Sequence, residues 1–184
     1  MLHTQPLRRT PQENATFTLS LLTALALIVP LAFACGCVVA RPAAFSGEFA
    51  YHPGARIAIV GDLQRTSMLE FWREQNDIER RRIVAHLAQG KPDLLVLLGD
   101  SVFNGASQSQ WEDFDQLMQP VRQAGIPVVS AVGNHDYWLL GRSNLEAFHE
   151  RFPAMEGQTW TSFCFGPLGI VVLDSNRDQM TDAQ

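Results

Sequence analysis

The sequence predicts an α/β fold with strands flanked by helices, and three observations carry that prediction. Short apolar runs rich in β-branched residues alternate with stretches whose apolar residues recur at helical spacing. The runs are continuous rather than alternating, as in strands covered on both faces. Three of them also end alike: Val60-Gly61-Asp62, Leu98-Gly99-Asp100 and Val132-Gly133-Asn134 each close with a glycine and an oxygen-bearing side chain.

Taken in order, residues 1–14 form a polar tail that holds Arg8 and Arg9. No charge occurs between Glu13 and Arg41, and the apolar segment over 15–40 exceeds the ~20 residues a bilayer span requires. The arginines ahead of it place the tail in the cytoplasm and everything after the segment outside, as a single-span membrane protein. Ala32-Phe33-Ala34 also fits a signal cleavage site, which would make the domain periplasmic or secreted. A lipid-modified Cys35 or Cys37 and a buried core helix are further readings of the same segment. Residues 41–55, with Pro42, Gly47, Pro53 and Gly54, read as a linker.

The first strand is RIAIVGD (56–62). A helix is expected from Ser67 to about Ala88, opened by a Ser67/Glu70 capping box, with Met68, Leu69, Phe71, Trp72, Ile78, Ile83, Val84 and Leu87 on its apolar face. DLLVLLGD (93–100) is the second strand, followed by a helix from near Ser109 to Gly125 that carries Trp111, Phe114, Leu117, Met118 and Val121. PVVSAVGN (127–134) is the third, and Ser143 with Glu146 opens another short helix. The segments 159–166 and 168–175, joined at Pro167, predict a hairpin. Cys164 within it reads as a buried, inert thiol, and the three cysteines form no disulfide framework.

The net charge is −5, but Arg8, Arg9 and Arg41 hold three of the 14 basic side chains while Glu13 is one of 19 acidic ones. The body beyond residue 41 is therefore more acidic than the chain as a whole. Such a body is a poor binder of nucleic acid backbone, so no nucleic acid partner is expected.

Ligands in open α/β sheets sit outside the carboxyl ends of the strands. Three such ends would bring Asp62, Asp100 and Asn134 to one region, where two carboxylates repel unless a proton or cation lies between them. Singly, each Gly-Asp or Gly-Asn is an ordinary turn or helix cap. Repeated at three strand ends and closing on Asn134-His135-Asp136, they point instead to a divalent metal held by oxygen ligands.

With GDLQ (61–64), GDSVFNG (99–105) and GNHD (133–136) in this order, the chain resembles the calcineurin-like metallophosphoesterase family over roughly residues 55–184. The resemblance implies a β-sandwich flanked by helices, here its N-terminal part, preceded by the apolar N-terminal helix. It implies two divalent metals, with Asp100 bridging them, Asp62 on the first and Asn134 on the second. His135 would contact the phosphate and protonate the leaving oxygen, and Asp136 would orient it. The substrate would be a phosphate ester, small molecule or lipid, or a pyrophosphate. Metals ~3.5–4 Å apart activate water and clamp phosphoryl oxygens, and an imidazole suits proton delivery to the departing alkoxide.

Two departures qualify the resemblance. Gln64 stands where the family has histidine; its neutral amide oxygen favours Mn, with Mg, Fe or Zn behind it. The family's later histidine motifs have no counterpart: no histidine follows His149, which reads as part of a solvated helix face. His86 and His52 do not match by motif. Thr181 and Gln184 begin a capping box, so the domain over 56–184 is expected to be C-terminally incomplete and the chain a fragment, weakly active or inactive alone. A non-catalytic, membrane-anchored remnant is the alternative. Arg80-Arg81-Arg82 reads as a solvated helix face, Arg65 and Arg177 as surface residues, and Tyr137 and Trp138 as pocket wall or core.

Overall fold

The computed structural model describes residues 44–138 and 145–176. The tail, the apolar segment over 15–40 with its expected helix, Ser143, Arg177 and the Thr181–Gln184 capping box lie outside those residues. The expectation of a single-span membrane protein is corrected: among the described residues no helix is long and apolar enough to cross a membrane.

Three strands form a parallel sheet in the order β1 (Ile57–Val60), β2 (Leu94–Leu97) and β3 (Val128–Ser130). Ile57 lies opposite Leu94, and Leu95 opposite Val128. β2 and β3 are buried along their whole length, the apolar run of β2 unbroken and that of β3 closing on the buried Ser130. β1 and β3 are both edge strands of this sheet, but Ile59 of β1 remains 62% exposed, so coverage on both faces holds for β2 and β3 only. The expected hairpin forms as β4 (Thr161–Phe165) and β5 (Leu168–Val172), antiparallel through Gly166-Pro167. Parallel and antiparallel sheets flanked by helices make this an α/β fold.

The helices depart from expectation in instructive ways. α1 (Asp77–Gly90) starts ten residues after Ser67. Met68, Leu69, Phe71, Trp72, Ile78 and Ile83 are exposed, and only Val84 and Leu87 of the predicted apolar face are buried. The second helix splits into α2 (Gln108–Leu117) and α3 (Gln119–Gln123) at Met118. Pro120 causes the break, because it has no N–H to give and its ring collides with the carbonyl four residues back. α4 (Glu146–Arg151) runs into a 3-10 turn over Pro153–Met155.

Trp111, Phe114, Phe148 and Phe152 fill the core beside β2 and β3. Of the stretch read as a linker over 41–55, residues 45–55 pack on this body: the Phe45 ring stacks on Phe152 at 5.3 Å, and the Val128 N–H donates to the Ser46 carbonyl. Arg151 is buried and forks onto Asp115, with its guanidinium over Trp111.

Three further readings are corrected. Arg80 is buried rather than solvated, because its Nε donates to the Leu63 carbonyl at 2.7 Å and its other nitrogens meet Asp77 and Asp113. Arg81 and Arg82 are exposed as expected. Cys164 is exposed, since it falls on the outer face of the hairpin. His149 is half-buried, and burial holds its imidazole below the ordinary value.

Candidate metal centre

Each parallel strand delivers its polar group one residue past a glycine, and the backbone explains why glycine precedes it. A Cβ on Gly133 would lie 2.1 Å from Asp100 Oδ1, and one on Gly99 would lie 2.5 Å from the Gly133 nitrogen. The loops after β2 and β3 thus touch backbone to backbone, which only glycine permits. Asp62 (φ 54°) and Asp100 (φ 52°) both occupy left-handed backbone, where non-glycine residues are uncommon.

Hydrogen bonds join the three strand ends. Asp62 N–H donates to the Gly99 carbonyl at 3.3 Å, and Gln64 N–H to the Asp100 carbonyl at 2.9 Å. His135 N–H donates to Asp100 Oδ1 at 3.0 Å, and Gly105 N–H to the His135 carbonyl at 3.1 Å. Asp62 and Asn134 are exposed at these ends, and Asp100 is half-buried between them. Gln64 is buried, yet its Oε1 has no hydrogen-bond partner among the described residues. A buried amide oxygen without a partner is costly, and a ligand to it would remove the cost.

His135 Nδ1 lies 2.9 Å from the Phe103 carbonyl. A carbonyl only accepts, so Nδ1 carries the hydrogen and Nε2 is the nitrogen left for proton transfer. The ring is clamped by aromatic neighbours, with Phe103 at 4.6 Å and Trp138 at 4.8 Å between centroids.

Asp136 does not take the part of orienting that ring. Its fully buried carboxylate accepts from the backbone N–H groups of Gly133, Ser101 and Val102 at 2.9, 3.0 and 3.2 Å. It locks the loop after β3 onto the loop after β2, while the Phe103 carbonyl holds the imidazole. Burial pushes the Asp136 carboxyl up to about 7; the three N–H donors pull against this, and nearby Asp100 adds to the rise.

Two participants were missed in the sequence, Asp174 and Asn176. Tyr137 is buried, its hydroxyl donating to Asp174 at 2.5 Å. Asn176 Nδ2 bridges the Val132 carbonyl and Asp174, so the end of β5 also reaches the loop after β3. The signal was present as Leu173-Asp174-Ser175-Asn176, an apolar run again closed by oxygen-bearing side chains. Glu70, in the loop before α1, is buried too; the Ser67 N–H holds its carboxyl below the ordinary value against burial, with Arg73 and His135 adding weaker attraction.

The donors suit a hard divalent cation in kind, since Asp62, Asp100, Gln64 and Asn134 all offer oxygen. In number they fall short of two metals. Among the described residues no group of three or more His, Cys, Asp or Glu could hold a metal ion.

No curated protein matches the chain. The solved structure of a purple acid phosphatase from yellow lupin (Lupinus luteus) seeds is 16% identical, with a TM-score of 0.40, and covers 69% of this chain. The match takes in 24% of that phosphatase, so this chain corresponds to a minor part of its length. The calcineurin-like phosphoesterase family matches residues 55–182, well over half of the chain, and the chain belongs to that family.

Proposed function

We propose that this chain is a divalent-metal-dependent hydrolase of phosphate ester or pyrophosphate bonds. Mn is the preferred ion, and Mg, Fe and Zn are lesser candidates. Its substrate is a phosphate ester, small molecule or lipid, rather than a nucleic acid. We assign residues 56–184 to the catalytic domain and read its two sheets as parts of the metallophosphoesterase sandwich.

One observation carries the proposal: hydrogen bonds join three parallel strand ends bearing Asp62, Asp100 and Asn134, with an oriented imidazole beside them. Asp62, Gln64, Asp100 and Asn134 would hold the metal. When bound, divalent ions supply an activated water and neutralise charge on the phosphoryl oxygens. The chain's own part is positional. Asp100 fixes the His135 backbone through Oδ1, and the Phe103 carbonyl fixes the tautomer. Nε2 of the imidazolium is then free to give its proton to the departing alkoxide.

A second reading, a non-catalytic member of the family, is favoured by the missing third carboxylate or histidine among the described residues. Hydrolysis separates the two readings. With Mn, wild type should hydrolyse an alkyl phosphate mono- or diester, whose departing alkoxide needs a proton, and His135→Ala should lower kcat by ~100-fold or more, the usual worth of a general acid. Mn binding without any turnover by wild type would establish the non-catalytic reading.

A further inference from the structure

A cavity of about 710 Å³ opens between the loop after β1, the loop after β2 and helix α2. Resting on the hydrolase reading above, we propose that it receives the alcohol portion of the substrate, and that this portion is an uncharged ring.

Its position follows from Phe103. That side chain lines the cavity and its ring packs 4.6 Å from His135, so the cavity lies one aromatic ring from the imidazole, and Ser101 of its wall directly follows Asp100 in the chain. The phosphate belongs at the strand ends, and what departs from it must lie on the imidazole side.

The walls differ in chemistry. Met68, Leu69 and Phe103 make one side apolar; the first two are 91% and 70% exposed, so they are open to a ligand rather than committed to the core. The first turns of α2 make the other side polar, with Glu112 among the lining residues. An apolar face opposite a hydrogen-bonding edge matches a ring that bears polar substituents.

Charge excludes an anionic group. The two arginines of the cavity are already engaged, Arg65 with Asp77 at 2.9 Å and Arg80 with Asp77 and Asp113. Glu112 has an amide contact from Gln108 and repels further negative charge. Ser101, also at the wall and 1% exposed, has a buried hydroxyl without a partner among the described residues. It is ready to hydrogen-bond a ligand.

Phosphonates, which resist hydrolysis, test the proposal by calorimetry on the Mn-loaded chain. Phenylphosphonate should bind about tenfold more tightly than methylphosphonate, as burying one ring implies. 4-Carboxyphenylphosphonate should lose that gain. The double variant Met68→Ala with Leu69→Ala alters exposed side chains only; it should bring the two simple ligands within about twofold while leaving methylphosphonate unchanged. Equal binding of phenyl- and methylphosphonate by wild type, or a preference that survives the double variant, overturns the ring proposal and leaves the hydrolase reading intact. If no phosphonate binds, the hydrolase reading fails and the proposal with it.

Discussion

Gln64 carries an unusual burden for a neutral side chain. It is 5% exposed, and its Oε1 has no hydrogen-bond partner among the described residues. A group in that state costs about 1–3 kcal/mol, which a ligand at the oxygen would offset. Gln64→Leu should therefore raise the metal-free stability by about 1 kcal/mol in urea unfolding, while Mn affinity drops. A destabilised variant would mean that the amide is already satisfied. Asp62, Asp100 and Asn134 were legible in the sequence because one pattern recurs at three strand ends. The burial of Gln64 was not, because it depends on how the following loop packs. Asp136 misled for a related reason: it adjoins His135 in sequence, but its carboxylate turns to three backbone N–H groups, two of them on the loop after β2.

Among the elements, the segment before α1 shows where local pattern and tertiary packing part. The Ser67/Glu70 pair does form its hydrogen bonds, Ser67 N–H to Glu70 Oε2 at 2.9 Å and Leu69 N–H to Ser67 Oγ at 3.2 Å. No helix follows, because Asn76 holds the chain back toward the site. Its side chain accepts from Thr66 N–H and donates to the Gln64 carbonyl, each at 3.0 Å, and the helix begins just after it. The same anchor leaves Met68, Leu69, Phe71 and Trp72 outside the core. Asn76→Ala should destabilise the chain by about 1–2 kcal/mol and speed amide exchange at Thr66. Unchanged exchange there would remove Asn76 as the anchor. Strand positions were legible because a continuous apolar run admits few structures, whereas helical spacing alone could not show that residues 67–75 turn outward.

At the scale of the whole molecule, the lead-in over 45–55 is bound into the body at both ends. Phe45 sits in the core, and His52 Nε2 meets Asp93 Oδ1 at 2.7 Å beside the start of β2. The hydrogen bond to Asp93 raises the His52 imidazole above 6.5, with the Pro53 carbonyl and the attraction of Asp93 adding to it. Its contribution is complete below 6.5 and is lost as pH rises through the raised value. The Arg56 N–H lowers the Asp93 carboxyl below 3.8, and His52 lowers it further. That contribution is complete above 3.8 and is lost as pH falls through the lowered value. The Tm difference between wild type and His52→Ala should therefore be widest between about pH 4 and 6.5 and shrink above neutrality. A difference that is flat with pH would show that the contact carries no titrating stability. The pair is exposed, so the effect is small. Composition showed nothing of this contact, because it joins residues 41 positions apart.

The strand-end carboxylates are proposed to hold a divalent metal that His135 serves without binding it. Calorimetric titration with Mn of wild type, Asp100→Ala and His135→Ala tests this most directly. Mn should bind wild type and His135→Ala, with a loss of ~100-fold or more for Asp100→Ala, since removing a ligand costs more than the 10–100-fold of an outer partner. Mn affinity unchanged by Asp100→Ala would contradict that assignment.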